Sequence, residues 1–223
     1  GREETRCQED SPEEGRGVTG VFITFEGGDG AGKSTQLQLL AKWLDEQKKT
    51  YVLTREPGGT DVGLELRDII LHRKGFLAPR AEALLYAADR AHHVHTVVRP
   101  ALERGDVVVQ DRFFDSSVAY QGAGRVLSED EVRDLSLWAV EDLRPNLTIV
   151  LDVPAEVARA RRDSTRDVYD RLEAEADDFH ERVRQAYRRL AGAEPERIVI
   201  IDGELPAEEI HQQIVSRVQS LLG

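Results

Sequence analysis

A chain of 223 residues with 40% hydrophobic content has room for one α/β domain with a sizeable core and is cramped for two. Its net charge of −12, from 30 Lys and Arg against 42 Asp and Glu, argues against nucleic acid or an anionic membrane surface as the main partner, so any anionic ligand has to be held by local cations or backbone N–H groups. No run approaches the roughly 18 to 20 consecutive apolar residues of a membrane helix and no secretory-type apolar stretch opens the chain, so it reads as cytoplasmic.

Residues 1–17 are charged, unpatterned and poor in apolar side chains, the composition of a disordered leader or linker; Cys7, the single cysteine, lies there and excludes an intramolecular disulfide. The remainder, 18–223, alternates short β-branched runs with segments of helical period, which predicts βαβ units on a parallel sheet. In chain order the expected strands are Val21–Phe25, Tyr51–Thr54, Asp106–Gln110, Leu147–Val153 and Arg197–Ile201, each nearly continuously apolar as strands buried on both faces should be. The expected helices are Lys33–Gln47, Asp61–Leu71, Arg80–Arg104, Ser128–Leu143, Ala155–Arg162, Asp170–Ala191 and Pro206–Leu222.

Between the first strand and the first helix stands G-x-x-x-x-G-K-S, with Gly27, Gly32, Lys33 and Ser34 at its fixed positions and Gly28, Asp29, Gly30, Ala31 and Thr35 completing the loop. Glycines let the backbone wrap a polyphosphate so that N–H groups and the helix N-terminus face its oxygens. Lys33 then supplies a point charge to the β and γ phosphates of a nucleoside triphosphate, and the Ser34 hydroxyl is a ligand for Mg²⁺. Asp111 ends an apolar strand, where α/β sheets gather their ligands, and is a second candidate for the metal, directly or through water.

A P-loop alone says only that a triphosphate is held; the reaction class has to come from the arginines. Arg159, Arg161, Arg162, Arg166 and Arg171 crowd one segment after the strand LTIVLDV in an otherwise acidic chain. Bringing two phosphates into contact costs roughly 4 kcal/mol per unit-charge pair at about 4 Å in an effective dielectric near 20. A mobile Arg-rich lid at about 159–170 would offset that repulsion and keep water out. Arg55 and Arg112, each after a strand, sit on the same edge as the P-loop and suggest a second phosphate site. Tyr86 and Arg90 stand four apart on one helical face and could clasp a planar base. His92, His93 and His95 lack the spacing of a helical zinc site and read as structural or solvated.

The segments FEGGDGAGKST, TREPGGT, LLYAADRAHH, DRFFDSSVAYQGAGR and DRLEAE resemble those of thymidylate kinases, from about Val18 to Gly223. The resemblance implies a P-loop nucleoside-monophosphate kinase fold, a five-stranded parallel sheet flanked by helices with a small Arg-rich lid. It implies ATP and dTMP as substrates, Mg²⁺ as cofactor, and a homodimer, for which the apolar stretches of Arg80–Arg104 are a candidate interface. By the same resemblance Arg55 and Arg112 grip the acceptor phosphate, Tyr86 stacks on thymine and Arg90 hydrogen-bonds it. Ser116, Ser117, Tyr120 and Gln121 line the rest of the nucleotide pocket, with Tyr120 obstructing a ribose 2′-hydroxyl. Asp29 lies near the acceptor sugar and the transferring phosphate. One variant of the family carries a basic residue at the position of Gly30; here that charge should come from the lid, with Arg162 and Arg166 the preferred donors, Arg159 and Arg161 possible ones, and Arg171 anchoring the lid base. Tyr at 86 replaces the commoner Phe, which preserves stacking. On the residues alone, another P-loop nucleotide or nucleoside kinase and a nucleotide-dependent regulatory module stay open.

Overall fold

Each of the five apolar runs becomes a strand, displaced from its expected bounds by no more than a residue at either end: β1 Val21–Glu26, β2 Tyr51–Arg55, β3 Val107–Asp111, β4 Leu147–Asp152 and β5 Ile198–Asp202. The computed structural model describes residues 19–125, 127–164 and 170–223; the expected leader, 1–17, and the lid residues 165–169, Arg166 among them, lie outside the described residues. The strands form one sheet in the order β2-β3-β1-β4-β5, parallel throughout. Because all five run the same way, their last residues, including Glu26, Arg55, Asp111 and Asp152, meet along one edge.

Strand alternation divides the core into two layers. On one face Ile23, Phe25, Val107, Val109, Ile149 and Leu151 pack against Leu37, Leu40 and Leu44 of α1 (Lys33–Glu46) and Ile210, Ile214 and Val218 of the last helix, Ala207–Leu222. Leu40 and Leu44 are fully buried, so truncating either to Ala costs about 2–5 kcal/mol. On the other face Phe22 and Val108 meet Val98, Ala101, Leu102, Phe113 and Phe114, while Val150 and Ile198 meet Phe179, Val183 and Leu190. Thr24 and Thr148 point into this second layer, and their hydroxyls satisfy one another at 2.8 Å.

The helices depart from expectation where tertiary context intervenes. After α2 (Asp61–His72), the segment read as one helix, Arg80–Arg104, is α3 (Pro79–His93), a π-helical turn Val94–Val98 and α4 (Arg99–Glu103). Pro100 has no N–H to give to the carbonyl four residues back, and the Arg99 N–H reaches Val94 O, one residue further than in an α-helix. Most of this segment's apolar side chains, Tyr86, Val94, Val98 and Leu102 included, are buried in the chain's own core; Leu84 stays on the surface, as do Val62, Leu64 and Ile69 of the neighbouring α2.

A short helix that the sequence did not announce, α5 (Phe114–Ser117), runs into a second π-helical turn, Val118–Ala123. Next, α6 spans Glu129–Ala139 rather than Ser128–Leu143, because Glu141 and Asp142 adopt positive φ and end it. Two helices follow β4: α7 (Ala155–Asp163) and α8 (Asp177–Ala193), the latter beginning seven residues later than expected at Asp170. Asp170 instead caps a separate turn: its carboxylate accepts the N–H groups of Leu172 and Glu173 at 2.9 Å, and Glu173 accepts the Asp170 N–H at 3.0 Å. The final helix, α9, is Ala207–Leu222, and no helix among the described residues is long and apolar enough to cross a membrane.

Candidate active site

The loop between β1 and α1 turns through left-handed backbone at Gly27 (φ 124°), Gly30 (φ 88°) and Gly32 (φ 98°). A Cβ on Gly27 would meet Leu151 O at 2.4 Å, so glycine is required here for packing as well as conformation. No side chain caps α1 and its first turn carries no acid, so its leading N–H groups point outward with positive polarity. Lys33 Nζ donates to Gly27 O (3.1 Å) and Gly28 O (3.0 Å) and lies 4.0 Å from the Asp29 carboxylate. Burial, and then Arg112, lower its pKa from the ordinary lysine value. Ser34 and Thr35 are exposed at the mouth of the loop, while Ala31 is buried beneath it.

Across from the loop, Arg112 follows the last residue of β3 with φ 66°, a left-handed conformation rare for a side chain of this size. Its guanidinium donates to Asp29 Oδ1 (2.7 Å), Ser116 Oγ (3.1 Å) and the Tyr120 hydroxyl (3.3 Å), and lies over the Tyr120 ring. Burial alone would raise the Asp29 carboxyl; Arg112, Lys33 and Arg162 outweigh it and hold the group well below the usual carboxylate range. Burial pushes the Tyr120 and Tyr86 hydroxyls up, so both stay neutral donors.

The cleft between these elements has a volume of about 470 Å³. Asp29, Gly30, Gly32, Lys33, Ser34 and Thr35 line one end; Arg55, Tyr86, Arg90, Asp111, Arg112, Ser116, Ser117, Tyr120 and Gln121 line the rest. Gly27 and Gly28 instead border a small cavity of about 30 Å³ behind the loop. Tyr86 and Arg90 do share a helical face, but Arg90 is 1% exposed and heavily committed: it donates to Glu56 (2.8 Å), Ser117 Oγ (3.0 Å), Phe113 O and Ser136 Oγ (both 3.3 Å). Four of the five N–H groups of a guanidinium are thereby used. Gln121 Nε2 is held by the buried Glu82 at 2.9 Å. Asp111 Oδ1 is buried with no hydrogen-bond partner among the described residues.

The lid arginines are placed unequally. Arg162 is buried beside the P-loop and donates to Asp29 O at 3.4 Å; Arg161 lines the cleft while donating to Gly203 O at 3.0 Å. Arg159 pairs with Asp177 on the surface, and Arg171 pairs with Glu82 and donates to Ile70 O at 3.0 Å. Arg166 lies outside the described residues. Gly30 brings α7 onto the loop: a Cβ there would meet Ala158 O at 2.4 Å and the Arg162 side chain at 3.1 Å.

Several acidic groups escaped the sequence reading. Glu56 joins Arg90 to His93, whose other ring nitrogen meets Thr54 Oγ1 at 2.7 Å; His93 is thus a structural histidine. Asp89, fully buried, accepts the Gly58 N–H at 3.1 Å, and burial followed by Glu56 raises its pKa to about 6. Glu26, also fully buried, is raised to about 7 by burial and then Asp115. A carboxylate closing an apolar strand immediately before a P-loop is a signal that could have singled out Glu26.

The thymidylate kinase family model matches residues 25–214. A thymidylate kinase of Clavibacter michiganensis is 62% identical over 205 residues, 92% of this chain and 97% of that protein. One of Leifsonia xyli is 65% identical over 199 residues, 89% and 94% of the two chains. The crystal structure of the Ehrlichia chaffeensis thymidylate kinase, 30% identical, covers 89% of this chain and 98% of its own with a TM-score of 0.73. A P-loop facing arginines across one cleft on this sheet order, together with these matches across nearly the whole length, places the chain in the thymidylate kinase family.

Proposed function

We propose that the protein transfers the γ-phosphoryl group of ATP directly, in line, to the phosphate of dTMP, giving dTDP and ADP on the route to dTTP. The observation that carries this reading is one cleft with cations at two places, Lys33 in the P-loop and Arg112 with Arg55 opposite, and an aromatic and amide wall of Tyr86, Tyr120 and Gln121 beside the second. Two anionic ligands meeting end to end account for that layout; a regulatory module needs only the first chamber.

Binding begins with the triphosphate on the loop N–H groups and Lys33. The thymine ring lies on Tyr86 and against Arg90 and Gln121, and Tyr120 fills the space a ribose 2′-hydroxyl would need. Asp29, kept ionised, orients Arg112 and accepts from the acceptor sugar. No general base is required, because a phosphate monoester with a second pKa near roughly 6 is already largely ionised at pH 7. Catalysis is then positioning plus charge: Lys33, Arg112, Arg162 and Arg166 stabilise the equatorial oxygens as the group passes between acceptor and donor. Mg²⁺ fits Ser34 and the unpartnered Asp111 oxygen, which would hold it directly or through water. When bound it neutralises charge on the β and γ phosphates.

We place the enzyme in the cytoplasm as a homodimer, with the exposed apolar residues of α2 and Leu84 as the contact face. The substrate assignment is tested by ADP production with MgATP and dTMP, dUMP, dCMP, dGMP or thymidine. We expect dTMP to give the highest kcat/KM; a clear preference for any other acceptor overturns it.

A further inference from the structure

Glu26 ends β1 one residue before the P-loop, yet its hydrogen bonds are made to the other side of the cleft. Oε1 accepts the Phe113 N–H at 2.8 Å; Oε2 accepts the hydroxyls of Ser116 at 2.5 Å and of Tyr187, from α8, at 2.8 Å. Burial raises its pKa to about 7, and the Ser116 and Tyr187 hydroxyls pull it back toward the ionised form, in which both oxygens accept. The same pattern leaves a neutral amide in its place with a donor facing donors.

These partners converge on Arg112. Its left-handed backbone is bracketed by its own N–H on Phe25 O (2.9 Å), by Gln110 Nε2 on its carbonyl (2.8 Å), and by Glu26 on the N–H of the next residue. Its guanidinium donates to Ser116 Oγ, whose single hydrogen is given to Glu26. With that hydrogen on Glu26 the hydroxyl turns a lone pair toward the arginine, which makes the relay, and the Tyr187 hydroxyl lies 3.0 Å from the Ser116 oxygen. A non-glycine residue held in this backbone region is strained and persists only where its surroundings impose it.

We infer that Glu26 is a positioning residue for phosphoryl transfer: by accepting from Phe113 and Ser116 it holds the backbone and side chain of Arg112 in aim at the acceptor phosphate. The inference rests on the assignment of Arg112 to that phosphate, and the test separates the two. Steady-state kinetics of the full chain would be measured for the parent, Glu26→Gln, Glu26→Asp and Arg112→Ala, varying dTMP at saturating MgATP and then the reverse, per mole of folded protein.

Glu26→Gln should raise KM for dTMP and lower kcat by tenfold or more each while KM for ATP stays within twofold. Glu26→Asp, which keeps the charge and the acceptor pattern on a shorter stem, should recover at least a third of the lost kcat/KM. Parental constants in Glu26→Gln, with or without a lower melting temperature, overturn the inference if Arg112→Ala is impaired; parental constants in Arg112→Ala overturn the assignment and the inference together. Should Glu26→Gln fail to fold, Ser116→Ala breaks the relay while sparing the carboxylate, and a loss in kcat/KM for dTMP of less than threefold overturns the proposal.

Discussion

On the acceptor side of the cleft, Arg90 is sealed in the interior on Glu56, Ser117, Ser136 and the Phe113 carbonyl, and Arg112 is fastened at backbone and side chain alike. On the lid side, Arg159 reaches a surface partner, Arg161 a backbone carbonyl of a distant loop, and Arg162 a loop carbonyl at the long distance of 3.4 Å. Buried Glu56 holds Arg90, whereas Arg159, Arg161 and Arg162 share one helix, α7. Under the proposed function the difference suits the tasks: a base and a phosphate must be recognised in one geometry, whereas charge is needed at the transferring group only once both substrates are in place. On that reading, the acceptor-side cations and the lid-side cations thus serve different steps in a single cleft.

Removing one cation from each side is the sharpest way to break this comparison. Arg112→Ala should lower kcat/KM for dTMP about 10³-fold, roughly 4 kcal/mol, as expected when a fixed donor aimed at developing charge is lost. Arg162→Ala should lower kcat about 10- to 100-fold, with KM for dTMP changed less than threefold. Equal effects of the two substitutions on dTMP affinity would dissolve the distinction. Stopped-flow or coupled assays under saturating MgATP report both.

A smaller effect probes what the rigid side costs. Asp89 supports the loop that follows Arg55 through the Gly58 N–H, and its folded pKa of about 6 lies above its ordinary 3.8. Between those values the native state keeps a proton that the unfolded chain has released, so stability falls as pH rises through the window. A difference of that size corresponds to at most about 3 kcal/mol. Asp89→Asn retains an acceptor for Gly58 and should flatten the fall in urea midpoint between pH 4 and pH 6.5; an unchanged slope would show that other groups set it.

What was legible in the sequence was local. The run VFITFE, the glycines after it and the helix KSTQLQLL announce strand, loop and helix within about twenty residues, and the strand ends near Arg55, Asp111 and Arg112 follow from the same periodicity. Glu26 shows the limit: its three donors lie 87, 90 and 161 residues away, and no local period encodes such a meeting. Arg90 was read as a ligand for a base from its place one turn after Tyr86; that it is also buried against Glu56 comes from packing between α3 and the β2 loop, which no local period encodes. The two π-helical turns were missed for a related reason, since Pro100 and the glycines near Tyr120 permit several continuations and only neighbouring elements choose among them.

The contact between Gly30 and Ala158 makes two electrostatic designs mutually exclusive. Any side chain at position 30 has to push α7 outward by about 1 Å to restore ordinary van der Waals separation, and it must also tolerate φ 88°. A cation grafted onto the loop would therefore unseat the helix that carries Arg162, trading one charge for another. Under the proposed function, interconverting the two arrangements takes a coupled change in loop and lid, and we expect single substitutions at either place to lower activity.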